Sequence, residues 1–181
     1  MEYGQQEDSQ LMRALARGET EALGELVRRY QGDALVLARR TLTQTDGAED
    51  VVQEAYLRVY RSAGRYRPTA KFSTWLFRIV VNLCYDRLRS LRRQGPSLDE
   101  QMIPPVWADA SEVLYADDVA RRVRDAIAAL PPRQRTALTL HRYEGLTHAQ
   151  ISEATGWSVS AIESLLVRAY QMLRRRLEDL K

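Results

Sequence analysis

The sequence predicts an all-α chain built as two small helical domains joined by a flexible linker. Three observations predict this. Apolar residues recur at three- and four-residue spacing almost throughout, and no stretch alternates convincingly with period two. Gly95, Pro96, Pro104 and Pro105 exclude a regular helix across residues 94–110. The charge also changes sign in blocks: the 181 residues sum to only +3, but 1–54 carry −5, 55–93 carry +9, 94–120 carry −6 and 121–181 carry +5.

The elements follow in order. A short helix is expected over about 8–17, stopped by Gly18, with Tyr3 to Asp8 as a frayed polar terminus. Thr20 is the expected cap of a long helix that reaches about Thr43. Asp46 with Glu49 three residues on has the capping-box pattern and opens a helix to about Ser62. Gly64 to Ala70, with Pro68 inside, breaks the pattern before a helix over about 72–92. Beyond the linker, helices are expected over about 111–129, 132–143, 147–154 and 158–179. The predicted division is a domain at 1–93, a linker at 94–112 and a domain at 113–181.

Composition narrows the function. One cysteine excludes a disulfide framework, and Cys84 reads as a small buried hydrophobe. Two histidines, His141 and His148, in different segments and with no third ligand in view, argue against a metal centre. With no nucleotide-binding glycine loop, triad spacing or paired-carboxylate logic, the chain is not expected to be an enzyme, and no cofactor is expected. No apolar run reaches the roughly 18 residues of a membrane span and no signal peptide opens the chain, so no membrane insertion and a cytoplasmic location are expected. Two basic blocks point instead to polyanions.

In the first block, Phe72, Trp75, Leu76, Ile79 and Leu83 form a core stripe. Arg78, Asn82, Asp86, Arg89 and Arg93 line a different, mostly cationic face. Arginine meets phosphate bidentately, and asparagine can read a base edge. The preceding loop, with Arg65, Tyr66, Arg67 and Lys71, mixes cations with an aromatic ring, as single-stranded nucleic acid requires. The helix before it opens with Glu49, Asp50, Gln53 and Glu54; the macrodipole explains part of that acidity, and protein docking is the sharper alternative.

In the second block, Thr147 and Gln150 form a capping-box pattern, Gly156 supplies a tight turn and Ser158 caps a longer helix. Ile162, Leu165, Leu166, Ala169, Leu173 and Leu177 are its expected buried stripe; Ser160, Ser164, Arg168, Gln171 and Arg175 line another face. The pattern fits a helix-turn-helix, whose second helix enters the major groove.

These residues carry a family resemblance. Asp50 to Tyr60 resembles region 2.2 of the sigma-70 family; Phe72 to Ile79 with Asn82 and Asp86 resembles regions 2.3 and 2.4; Ala129 to Arg176 resembles region 4. The two domains therefore resemble a sigma region 2 helical bundle and a sigma region 4 helix-turn-helix, and with no room for regions 1.1 or 3 the chain resembles the small extracytoplasmic-function (ECF) group. The resemblance implies a factor that binds core RNA polymerase and directs promoter-specific initiation through −10 and −35 elements. It implies core-polymerase contacts from Asp50, Gln53, Glu54 and Tyr60. It implies melted −10 DNA contacts from Arg65, Tyr66, Lys71, Arg78, Asn82 and Arg89, with Asn82 at the edge of a flipped base. It implies duplex −35 contacts from Ser160, Glu163, Ser164 and Arg168, with Leu165 and Val167 at matching positions. It also implies an anti-sigma factor, through which the chain could be held at a membrane.

The chain departs from the commonest region 4 pattern, which often has bases where Glu163, Leu165 and Tyr170 stand. Glu163 has two readings: an acceptor for cytosine N4, or the closing residue of a capping box with Ser160. The acidic block 94–120 that contains the linker, with six acids and no base, also has two: a nucleic-acid mimic along the polymerase's RNA path, in which Trp107 and Ile103 dock, or a solvated tether. Two rival functions are a decoy that binds only an anti-sigma factor and a repressor that acts without polymerase.

Overall fold

The computed structural model describes residues 7–43, 47–94 and 117–178. Among them every regular element is helical. The linker reading at residues 95–112, the expected Asp46 cap and the expected helix start at Ser111 lie outside the described residues.

The chain folds α1 (Asp8–Ala16), α2 (Glu21–Leu42), α3 (Ala48–Ser62), a 3-10 turn (Ala63–Arg65) and α4 (Phe72–Gln94) as a first unit. Asp8 is not part of a frayed end. Gln10 accepts from the Glu7 N–H at 3.1 Å and closes the first turn of α1. Asp8 then takes Arg29 at 2.9 Å and the Tyr30 hydroxyl, tying α1 to α2. Burial and Asp8 together hold the Tyr30 phenol well above its usual pKa range. Leu11, Met12, Leu26, Leu37, Val59, Phe72, Leu76 and Val80 fill the centre of the unit.

Two caps differ from expectation. Thr20 precedes α2 but is itself helical and makes no side-chain cap bond. The residue before α3 is Gly47, at φ +93°, where a β-carbon would collide with the Arg87 guanidinium. The α4 stripe is also wider than predicted. Phe77, Val81 and Cys84 are buried beside Phe72, Leu76 and Leu83, whereas Trp75 and Ile79 are only half-buried. One apolar face meets one neighbour, but α4 packs against α2, α3 and α7. Burial pushes the Cys84 thiol up to about 12.

The second unit comprises α5 (Asp117–Ala128), α6 (Pro132–Arg142), α7 (His148–Thr155) and α8 (Val159–Arg176). Pro132 is the first residue of α6, where a missing N–H costs nothing. In α7 the Thr147 hydroxyl accepts from Gln150 N at 3.3 Å, and Gln150 Oε1 accepts from Thr147 N at 2.9 Å. Gly156 ends α7 at φ +73°, and Ser158 caps α8 through the Ala161 N–H at 3.2 Å.

The two units pack together along α2 with α6 and α4 with α7. The Arg135 guanidinium donates at 3.1 Å to the Thr41 carbonyl of α2. Tyr85 of α4 meets Thr136 at 3.3 Å, and its ring stands edge-on to Trp157 at 6.1 Å. Arg133 covers Trp157 at 4.7 Å, and Arg40 lies 3.4 Å over the Tyr143 ring.

Candidate functional site

Three exposed surfaces carry the residues singled out by sequence. The first is a face of α3. Asp50 and Gln53 are exposed; Asp50 lies 3.7 Å from Arg87 of α4. Glu54 pairs with Arg58 at 3.1 Å. Tyr60 is 48% exposed, and Leu57, one turn before it, is equally so. Positions 50, 53, 57 and 60 fall at helical spacing, so two large apolar side chains stand in water among polar ones. An interface core needs that apolar content. Leu57 was missed from sequence, although its spacing from Gln53 and Tyr60 was the available signal.

The second surface surrounds the loop into α4. Tyr66 is half-buried, 4.9 Å from Trp75 and 6.3 Å from Phe72 by ring centroid, and burial raises its pKa. Tyr66, Lys71 and Phe72 line a cavity of about 230 Å³ together with Tyr30, Pro68 and Asp8. Its walls are aromatic rings, and its other lining side chains include a cation and carboxylates. Arg78, Asn82 and Arg89 are exposed at four- and seven-residue spacing on α4, with Asp86 between them paired to Arg89. Arg65 is exposed on the 3-10 turn. The cavity and the α4 face are distinct: Arg65, Arg78, Asn82 and Arg89 are not among the residues lining the cavity. The Arg93 side chain lies outside the described residues.

The third surface is the outer face of α8. Ser160, Glu163, Ser164 and Arg168 are exposed, and so are Val159, Val167 and Tyr170. The Ser164 hydroxyl bonds back to the Ser160 carbonyl at 2.9 Å. Leu165 does not belong here; it is half-buried and packs on the core. Glu163 does not close a capping box with Ser160, because Ser158 is the cap and Ser160 already lies inside the helix. Its carboxylate instead stands 3.7 Å from His148 Nδ1. His141 of α6 and His148 of α7 come together at 5.2 Å between ring centroids. Among the described residues no three histidine, cysteine or acidic side chains are placed to hold a metal ion.

Comparison with known proteins identifies two regions of the chain. Residues 26–94 match the family described as Sigma-70 region 2, and residues 120–173 match Sigma-70, region 4. The RNA polymerase sigma-H factor of Pseudomonas aeruginosa is 31% identical over 97% of this chain and 96% of its own. The ECF RNA polymerase sigma factor SigM of Mycobacterium tuberculosis is 33% identical over 94% of this chain and 84% of its own. The fold resembles CnrH, solved in complex with the cytosolic domain of CnrY, with a TM-score of 0.69 and 24% identity over 95% of this chain and 97% of that one. It also resembles RpoE of Bartonella quintana, solved with the anti-sigma factor NepR, with a TM-score of 0.70 and 21% identity over 86% of this chain and 96% of that one. With both matched regions in order, the chain is a non-catalytic subunit of RNA polymerase, and it belongs to the sigma-70 family as an ECF sigma factor.

Proposed function

We propose that the three surfaces divide the work of promoter-specific initiation. The face of α3 with Asp50, Gln53, Glu54, Leu57 and Tyr60 docks on core RNA polymerase. Arg78, Asn82 and Arg89 follow the melted −10 strand, with Arg65, Tyr66 and Lys71 at its entrance. The open cavity beside Tyr66 and Phe72 offers an extruded base aromatic rings to stack on. Asn82 then reads a neighbouring position on the strand. Ser160, Glu163, Ser164 and Arg168 face the −35 duplex.

The observation that carries this reading is the pair of exposed, arginine-bearing helix faces, α4 and α8, on two separate helical units. The proposed division is a region 2 domain at 1–93, a linker at 94–112 and a region 4 domain at 113–181. An anti-sigma factor is the further partner, supported by the complexes in which the two structural neighbours were solved. Through it the chain could be held at a membrane; among the described residues no helix is long and apolar enough to cross one.

Run-off transcription with purified core polymerase tests the reading. Promoter-dependent transcripts are expected from the wild-type chain. Asn82→Ala should lose open complexes while −35 duplex binding persists; equal loss of both removes Asn82 from strand capture. No transcript at all, with tight anti-sigma binding, would favour a decoy.

A further inference from the structure

We propose that His148 is a positioning residue for −35 specificity: it holds the Glu163 carboxylate so that the carboxylate accepts the N4 amino hydrogen of a cytosine in the major groove. The inference rests on the reading that α8 enters the −35 duplex.

Glu163 has no capping duty, since Ser158 already satisfies the first turn of α8. Its side chain is 58% exposed on the same face as Ser160 and Ser164. An acid there is repelled by phosphates, and its long side chain loses rotamer freedom on contact. His148 restricts that freedom. It is the first residue of α7, and its Nδ1 lies 3.7 Å from Glu163 Oε1, so a small rotamer change brings the two within hydrogen-bond distance.

The imidazole is itself braced. Its ring packs on His141 at 5.2 Å, and His141 Nδ1 lies 3.1 Å from the Leu146 carbonyl, to which it must be the donor. The Thr147–Gln150 capping box fixes the backbone beneath it. A carboxylate has lone pairs on both oxygens, so His148 can engage Oε1 and leave Oε2 for a base.

The base follows from groove chemistry. Only cytosine and adenine offer an amino donor in the major groove. Adenine sets its N7 acceptor beside that donor, facing the carboxylate with like charge. Cytosine offers its donor without N7, and it is the better match.

The test is transcription by reconstituted holoenzyme from a promoter library randomised through the −35 element, with base preference read at each position. Wild-type chain, Glu163→Ala, His148→Ala and His148→Asn are compared after thermal melting shows that each folds. The wild type should favour a cytosine at one position by roughly tenfold. Glu163→Ala, which removes the acceptor, and His148→Ala should both cut that preference severalfold, at that position alone. His148→Asn, which keeps a donor where Nδ1 stood, should retain it. If Glu163→Ala relaxes the position and His148→Ala does not, the positioning role is overturned and the duplex reading of Glu163 stands. If both His148 variants flatten every position, His148 is merely structural. If Glu163→Ala changes no preference, Glu163 does not read the duplex and the positioning role falls with it.

Discussion

Arg135 is only 4% exposed, and among the described residues no carboxylate is bonded to its guanidinium. Three carbonyls take the place of a counter-ion: Ala128 at 2.6 Å, Leu130 at 2.7 Å and Thr41 at 3.1 Å. Two helices end there, α5 and α2, and helix C-termini carry partial negative charge. Burial pushes Arg135 down to about 10, which leaves it charged at neutral pH. Arg135→Ala would strand three buried acceptors and should lower stability by about 2–4 kcal/mol, read as a lower urea midpoint. Glu144 makes the opposite case. Burial first, and then Asp33, push its carboxyl up to about 7, against the pull of Arg40. The folded chain therefore keeps a proton that the unfolded chain loses near 4.5. Stability should fall as pH rises from about 4.5 to about 7 and level off above. Glu144→Gln should remove this slope and melt above wild type at pH 8, the gap narrowing toward pH 5; parallel melting curves across that range would refute it.

At the scale of elements, the helix-turn-helix depends on one backbone conformation. Gly156 sits at φ +73° with open space around its α-carbon, so the strain of a side chain there is purely backbone. Gly156→Ala should cost about 1 kcal/mol, measured by thermal melting, and weaken −35 binding while −10 contacts persist. The turn, the Thr147 box and the Ser158 cap were all legible in the sequence, because local hydrogen bonding dictates residue type at fixed offsets. The order and approximate extent of the helices were legible for the same reason, through apolar spacing. Caps without a local partner were not: Thr20 makes no cap bond, and Gly47 is shaped by Arg87, which is forty residues away. The cavity was equally hidden. Tyr66, Lys71 and Phe72 were in view, but Asp8 and Tyr30 reach it from α1 and α2 by tertiary packing. Spacing flagged Glu163, yet nothing in a linear reading placed His148 beside it.

At the scale of the whole molecule, the proposed assignment of Asn82 to the −10 element and Ser160 to the −35 element makes the packed arrangement and a promoter-bound one different states. Asn82 is one turn from Tyr85, which touches Trp157 at 6.1 Å, and Ser160 follows three residues later. Chain geometry then limits Asn82 and Ser160 to roughly 30 Å apart. Elements 25 base pairs apart by their designations lie roughly 85 Å apart along B-form duplex. Engaging both requires the units to separate. The seam suits that change: Arg40 Nη1 and Arg135 Nε are buried in it without a protein partner. Each such atom costs about 1–3 kcal/mol and regains hydration on opening. Dyes on cysteines introduced at the exposed Gln10 and Glu153 should show high energy transfer in the free chain and low transfer in the promoter complex; unchanged transfer would mean that the seam persists. The placement of Tyr85 one turn from Asn82 has a thermodynamic consequence. On the proposed assignment, seam closure and promoter occupancy are linked equilibria. A ligand that favours the closed form weakens promoter binding by some factor, and reciprocity requires the promoter to expel that ligand by the same factor.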